Sequence, residues 1–129
     1  MNRGLTLVEV LIVMVVIGIL VAIIIPNYKN SVIKAKEAVL KENLFMLRDA
    51  INKFYFDKKK YPTSLEELVG FRYLREIPID PILGHPDWES VYLEPGEAED
   101  YDPEMLEGIV DVKSKASGTA QDGTRYADW

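Results

Sequence analysis

The sequence predicts an α+β chain in which one long N-terminal helix, kinked at Pro26, packs its second half on a small antiparallel β-sheet that ends in a C-terminal loop. Three observations predict it. Leu5 to Ile25 is apolar except for Thr6, Glu9 and Gly18. From Asn27 to Lys60 apolar side chains recur on a helical period. Beyond Tyr61 that pattern gives way to turn residues and two short runs of branched or aromatic residues.

The chain has 129 residues, enough for one modest core once the apolar stretch is set aside. Its average hydropathy is ordinary only because two unlike halves cancel. The net charge of −6 disfavours polyanions, so no nucleic-acid partner is expected. There is no cysteine, and a small exported domain without disulfides needs another brace, such as a metal ion.

As a helix, Leu5 to Ile25 extends about 32 Å, which matches a hydrocarbon layer of roughly 30 Å. A cleaved secretory signal has a shorter apolar core followed by a small-residue cleavage site, whereas here the apolar run continues to Pro26 and into a polar helical pattern. The segment is expected to remain as an anchor. A plain anchor does not account for Glu9, because a carboxylate near the centre of a membrane helix costs about 2.5 kcal/mol or more and calls for a partner or an interface.

Gly4, Leu5, Thr6, Leu7, Val8, Glu9, Val10 and Leu11, with the run to Pro26, resemble the class III leader of type IV pilins and type II secretion pseudopilins. The resemblance implies a type IV pilin-like fold and cleavage by prepilin peptidase after Gly4, with N-methylation of Leu5. The family's usual first mature residue is Phe, and Leu5 is a departure that leaves this inference intact. Cleavage creates an amine with a reference pKa near 8. That cation can meet Glu9 of a neighbouring subunit, with an attraction of roughly 4 kcal/mol at 4 Å and an effective dielectric near 20, before desolvation is subtracted. Such a pair sets register more than it adds net stability. Lysines at 29, 34 and 36 follow the span, so the positive-inside count does not favour an external C-terminal part. The resemblance alone implies a cytoplasmic leader, a single pass through the bacterial inner membrane and a periplasmic globular part.

The expected divisions are a leader over 1–4, a membrane and filament-core helix over 5–26, its amphipathic continuation over 27–60 and a globular α+β part over 61–129. Pro26 lacks a backbone donor and should bend the helix without ending it. Ile33, Leu40, Leu44, Leu47, Ile51 and Phe54 form one stripe, broadened by Val32, Val39 and Met46. Packing against the chain's own domain is the simpler reading of that stripe, ahead of a coiled coil. Lys58, Lys59 and Lys60 suit a helix C-terminus.

Thr63 and Glu66 read as a capping box opening a short helix through Val69, with Gly70 as its stop. Pro78, Asp80, Pro81, Gly84 and Pro86 mark a turn-rich connection. Its Tyr73-Leu74 and Ile77-Pro78-Ile79-Asp80-Pro81 resemble the segment that follows the helix in major pseudopilins. Ser90 to Leu93 and Gly108 to Lys113 read as antiparallel strands, and a third strand is not firmly readable. Between them, Glu94 to Glu107 is acidic with no Lys or Arg; a solvated loop is the simpler reading, with a partner surface or a cation site as alternatives.

The tail from Ser114 to Trp129 combines glycines with hard oxygen donors and resembles the C-terminal loop of major pseudopilins. In that family such a loop can hold calcium, and the resemblance makes Asp122 and Asp128 the candidate ligands, although their spacing is not that of an EF-hand. Enzymatic signatures are missing. His85, the sole histidine, lies between Gly84 and Pro86 as a turn residue, and no phosphate loop, nucleophile elbow, H-E-x-x-H or cysteine nucleophile occurs.

The resemblance therefore implies a major-type pseudopilin, polymerised into a helical filament that drives export by type II secretion. Its partners are identical subunits, minor pseudopilins, the inner-membrane assembly platform, prepilin peptidase and membrane lipid. The alternatives are a type IV pilin of a surface fibre and a binding or enzymatic domain tethered by the helix.

Overall fold

A computed structural model describes residues 4–94 and 107–129. The acidic segment Glu94 to Glu107 therefore falls almost wholly outside the described residues. Helix α1 (Leu7–Lys58) is followed by helix α2 (Leu65–Gly70), strands β1 (Trp88–Tyr92) and β2 (Ile109–Ser114), and a 3₁₀ turn at Tyr126–Asp128. Two compact units divide the chain, Met1–Ala35 and Lys36–Trp129.

In the first unit the helix runs through Pro26 without a break. Proline cannot donate to the carbonyl of Ala22 one turn earlier. One turn further on, the Ser31 hydroxyl donates to the Asn27 carbonyl at 2.9 Å, a back-bond of the kind that bends helices. Every residue from Gly4 to Ser31 is exposed, apolar ones included.

In the second unit the apolar stripe becomes the core. Leu40, Leu47, Ile51 and Phe54 are wholly buried and Leu44 nearly so, together with Leu68, Ile109 and Val112 from the elements packed on them. The stripe is narrower than its spacing suggests, because Ile33, Val39 and Met46 are exposed. Buried positions on the helix begin at Glu37. The helix ends as Lys59 enters the left-handed region (φ 57°) and its amide donates to the Tyr55 carbonyl. Lys58 in the last turn suits the dipole there.

The capping frame of α2 differs by one residue from the sequence expectation. Ser64, not Thr63, is the N-cap: its backbone is extended and its Oγ accepts the Glu67 amide at 3.2 Å. Glu67, not Glu66, reaches back, accepting from the Thr63 amide at 2.6 Å and hydroxyl at 2.9 Å. Gly70 lies inside the helix, and the left-handed stop falls two residues later, at Arg72 (φ 65°).

The strands pair antiparallel from Trp88↔Ser114 to Tyr92↔Ile109, with an irregularity at Val91/Tyr92. β1 starts two residues earlier than its composition suggests, and β2 runs to Ser114. Trp88 extends β1 because its ring is buried while its Nε1 donates to the Pro78 carbonyl at 2.8 Å. Among the described residues the sheet has two strands, supplemented by a bridge between Thr119 and Arg125. Gly108 enters β2 where only glycine fits, since a Cβ there would lie 2.3 Å from the Tyr61 Cβ.

Pro78 and Pro81 prevent regular pairing, so side chains fix the connection between α2 and β1. Asn43 of α1 donates to the Ile79 carbonyl at 2.9 Å. Asp80 is fully buried; its Oδ1 accepts the amides of Ile82 (2.8 Å) and Leu83 (3.2 Å), and its Oδ2 accepts the Ser114 hydroxyl. His85 is an exposed turn residue whose carbonyl receives the Asp80 and Asp87 amides.

Asp80→Ala strands those three donors and should cost about 3 kcal/mol in chemical unfolding of the full chain in detergent micelles. A loss under about 0.5 kcal/mol, the range of ordinary surface changes, would show that Asp80 does not organise the turn.

The Tyr73 hydroxyl donates to Asp57 at 2.6 Å, and that hydrogen bond, aided by burial and the carboxylate charge, raises the phenol's pKa. A raised folded pKa gives stability that is complete below the unfolded value near 10 and is lost as pH rises through the folded value. The unfolding midpoint should accordingly fall above about pH 10, and fall less in Tyr73→Phe. Identical alkaline profiles for the two proteins would contradict the link.

Candidate functional site

The N-terminal site is built on the first turn of α1. Gly4, Leu5 and Thr6 precede the helix, and Leu7 opens it. The Thr6 Oγ1 accepts the Glu9 amide at 3.2 Å, while the Thr6 amide donates to Glu9 Oε2 at 3.4 Å. These two bonds form a reciprocal capping box with Glu9 at the third helical position. The carboxylate thus points back along the helix toward the Thr6 amide, one residue after the nitrogen that cleavage following Gly4 would free. On an ideal helix Glu9 would stand about 6 Å from Leu5, and its carboxylate reaches back toward that end through the Thr6 amide. Among the described residues, a Cβ on Gly4 would meet nothing within 4 Å.

Around this carboxylate the helix is apolar on all sides. Leu5 and Leu7 are 76% and 78% exposed, and exposure of large apolar side chains continues through Ile25. Among the described residues α1 is one helix long and apolar enough to cross a bilayer, with none of the apolar window buried. Each such side chain gains about 1.5–3 kcal/mol on leaving water. The surface requires lipid or other apolar helices.

The second site is the tail. Asp122 and Asp128 are both exposed. Asp122 Oδ1 accepts from the Thr124 hydroxyl and from its amide at 2.9 Å, and these bonds, the hydroxyl's above all, hold its carboxyl below the usual range. Asp128 closes the 3₁₀ turn through its amide, which donates to the Arg125 carbonyl at 3.0 Å. Among the described residues no three His, Cys, Asp or Glu side chains gather as metal ligands.

What holds the tail instead was not read from the sequence. Glu37, buried on α1, accepts the Gln121 amide at 3.0 Å and the Tyr126 hydroxyl at 2.8 Å through one oxygen, Oε1. Arg48, three turns along, donates from Nε to Asp111 Oδ1 (2.7 Å) and from its terminal nitrogen to the carbonyls of Val112 (3.1 Å) and Trp129 (2.7 Å). Trp129 stands edge-on to Tyr126, its Nε1 donates to Thr124 Oγ1 at 2.7 Å, and Lys41 lies 4.5 Å from its ring. One signal for Glu37 was available: the stripe steps seven residues from Ile33 to Leu40, and Glu37 occupies the skipped position on the same face.

The family model of the prokaryotic N-terminal methylation motif matches residues 1–25. The type II secretion system core protein G of Escherichia coli K12 is 30% identical over 119 residues, covering 78% of this chain and 78% of that protein. The protein of the same name from Pseudomonas aeruginosa is 31% identical over 111 residues, 74% of this chain and 75% of its own. The type IV major pilin protein PilA of Myxococcus xanthus is 41% identical over 70 residues, but these cover 54% of this chain and only 31% of that pilin. No solved structure matches the chain significantly.

Proposed function

The chain belongs to the type II secretion system core protein G family of pseudopilins, and we propose that it works by leaving the inner membrane to polymerise through the helix that anchors it. It is a structural subunit and not an enzyme. The observation that carries the polymerisation reading is the single carboxylate of Glu9, held at the start of a stretch of helix that is otherwise uncharged and exposed through Ile25.

Prepilin peptidase cuts after Gly4 in this reading, and the new Leu5 amine is N-methylated. The match of the N-terminal methylation motif over residues 1–25 supports processing at this position. The amine of one subunit then meets Glu9 of its neighbour while the helices from Leu5 to Pro26 exchange lipid for one another. Apolar burial is nearly equal in the two settings, because hydrocarbon and a neighbouring helix are alike as solvents. The charge pair supplies what lipid cannot, a partner for the carboxylate, and so sets the axial register of the filament.

The leader lies in the cytoplasm and the globular part in the periplasm, with minor pseudopilins and the inner-membrane assembly platform as further partners. Export through the outer membrane follows from filament growth. A surface pilin is the weaker reading, since the pilin similarity covers less than a third of that relative.

Glu9→Ala tests this directly. The variant should still be cut after Gly4, as the mass of its N-terminal peptide will show, but its recovery in sheared or cross-linked filaments should drop at least tenfold, the factor equivalent to about 1.4 kcal/mol. Normal incorporation of the variant into filaments would contradict the pairing.

A further inference from the structure

We propose that the tail from Ala116 to Trp129 is locked onto α1 by Glu37 and Arg48, and that it holds its fold without a calcium ion at Asp122 and Asp128. This is independent of whether the chain polymerises. The carboxylates near the tail already serve hydrogen bonds of the chain itself. A calcium site takes six to eight oxygens, from carboxylates, backbone and amide carbonyls and water, directed at one point. Here the Asp122 carboxylate closes its own turn on Thr124. The nearby buried carboxylate, Glu37, receives two donors from the tail itself.

The lock has two ends, roughly 16 Å apart on α1 by helical rise. At one end, Glu37 Oε1 binds the amide of Gln121 and the hydroxyl of Tyr126, so a single anionic oxygen fixes both the Ala120–Thr124 turn and the ring that follows it. At the other, Arg48 spans β2 and the end of the tail, pairing with Asp111 while donating to the Trp129 carbonyl. Between them the Tyr126 and Trp129 rings meet at 5.2 Å, and Tyr126 packs beside Gly118, whose φ of 122° suits glycine.

Bonds to ionised groups are about twice as strong as neutral ones. The Tyr126–Glu37 bond is buried, and the other bonds of the lock are partly so. The turn thereby has a charged anchor supplied by the chain, in the role that a bound cation or a disulfide would otherwise serve.

The test is amide hydrogen exchange across Ala116–Trp129 in the full chain in detergent micelles, with calcium or with a chelator. Exchange should be the same in both. Tyr126→Phe, which keeps the ring and removes the hydroxyl, should speed exchange in the Ala120–Thr124 turn by about tenfold, and Glu37→Ala by more, both irrespective of calcium. Faster tail exchange on chelation would overturn the proposal. So would unchanged exchange in both variants, because the lock would then carry none of the tail's stability.

Discussion

Along the apolar stretch of α1 the Glu9 carboxylate is the one ionised side chain, and its needs differ from those of everything around it. Lipid satisfies Leu5, Leu7 and the residues to Ile25 equally well in a bilayer or against other helices. It cannot satisfy Glu9. The chain's own answer is partial: the Thr6 amide reaches the carboxylate at 3.4 Å, a long bond from a neutral donor. A cationic amine one residue earlier would be a much stronger partner, and the proposed cleavage after Gly4 would create it. The N-terminal chemistry proposed for this pseudopilin follows from that imbalance, because an assembly that pairs the two charges relieves a cost the isolated helix retains.

The other half of α1 obeys a different rule. One side is buried by β1, β2, α2 and the tail, and the core depends on the row from Leu40 to Phe54. The polar groups along that side are all bound. Asn43 holds the Ile79 carbonyl, Glu37 and Arg48 hold the tail, and Asp80 ties the proline-rich turn to the end of β2. No buried side-chain nitrogen or oxygen among the described residues lacks a hydrogen-bond partner. A small sheet of two strands is marginal alone. These side-chain links let it form one layer with the helix.

Much of this was legible from periodicity. The 3.6-residue repeat placed Leu40, Leu44, Leu47, Ile51 and Phe54 inward, and the switch to short branched runs located both strands to within a residue or two. Long-range polar contacts were not legible, since nothing local to Arg48 or Asp80 says that β2 will come within reach. The α2 cap slipped by one because Thr63-Ser64 followed by Glu66-Glu67 offers two overlapping boxes, and only backbone geometry chooses Ser64. The box at Thr6 and Glu9 has the same Thr-x-x-Glu pattern and was equally readable. Gly4 and Leu5 carry their meaning in a peptidase's specificity, which only resemblance could supply.

In this account Glu9 pairs with another subunit's Leu5 amine and not with that of its own chain, one residue before the Thr6 amide that it already accepts. Filaments assembled from a mixture of isotopically light and heavy subunits, treated with a zero-length carbodiimide cross-linker, decide the matter by mass spectrometry. The account predicts two N-terminal peptides joined from the Leu5 amine to Glu9, with light–heavy pairs among them. A link closed only within a single N-terminal peptide would contradict it.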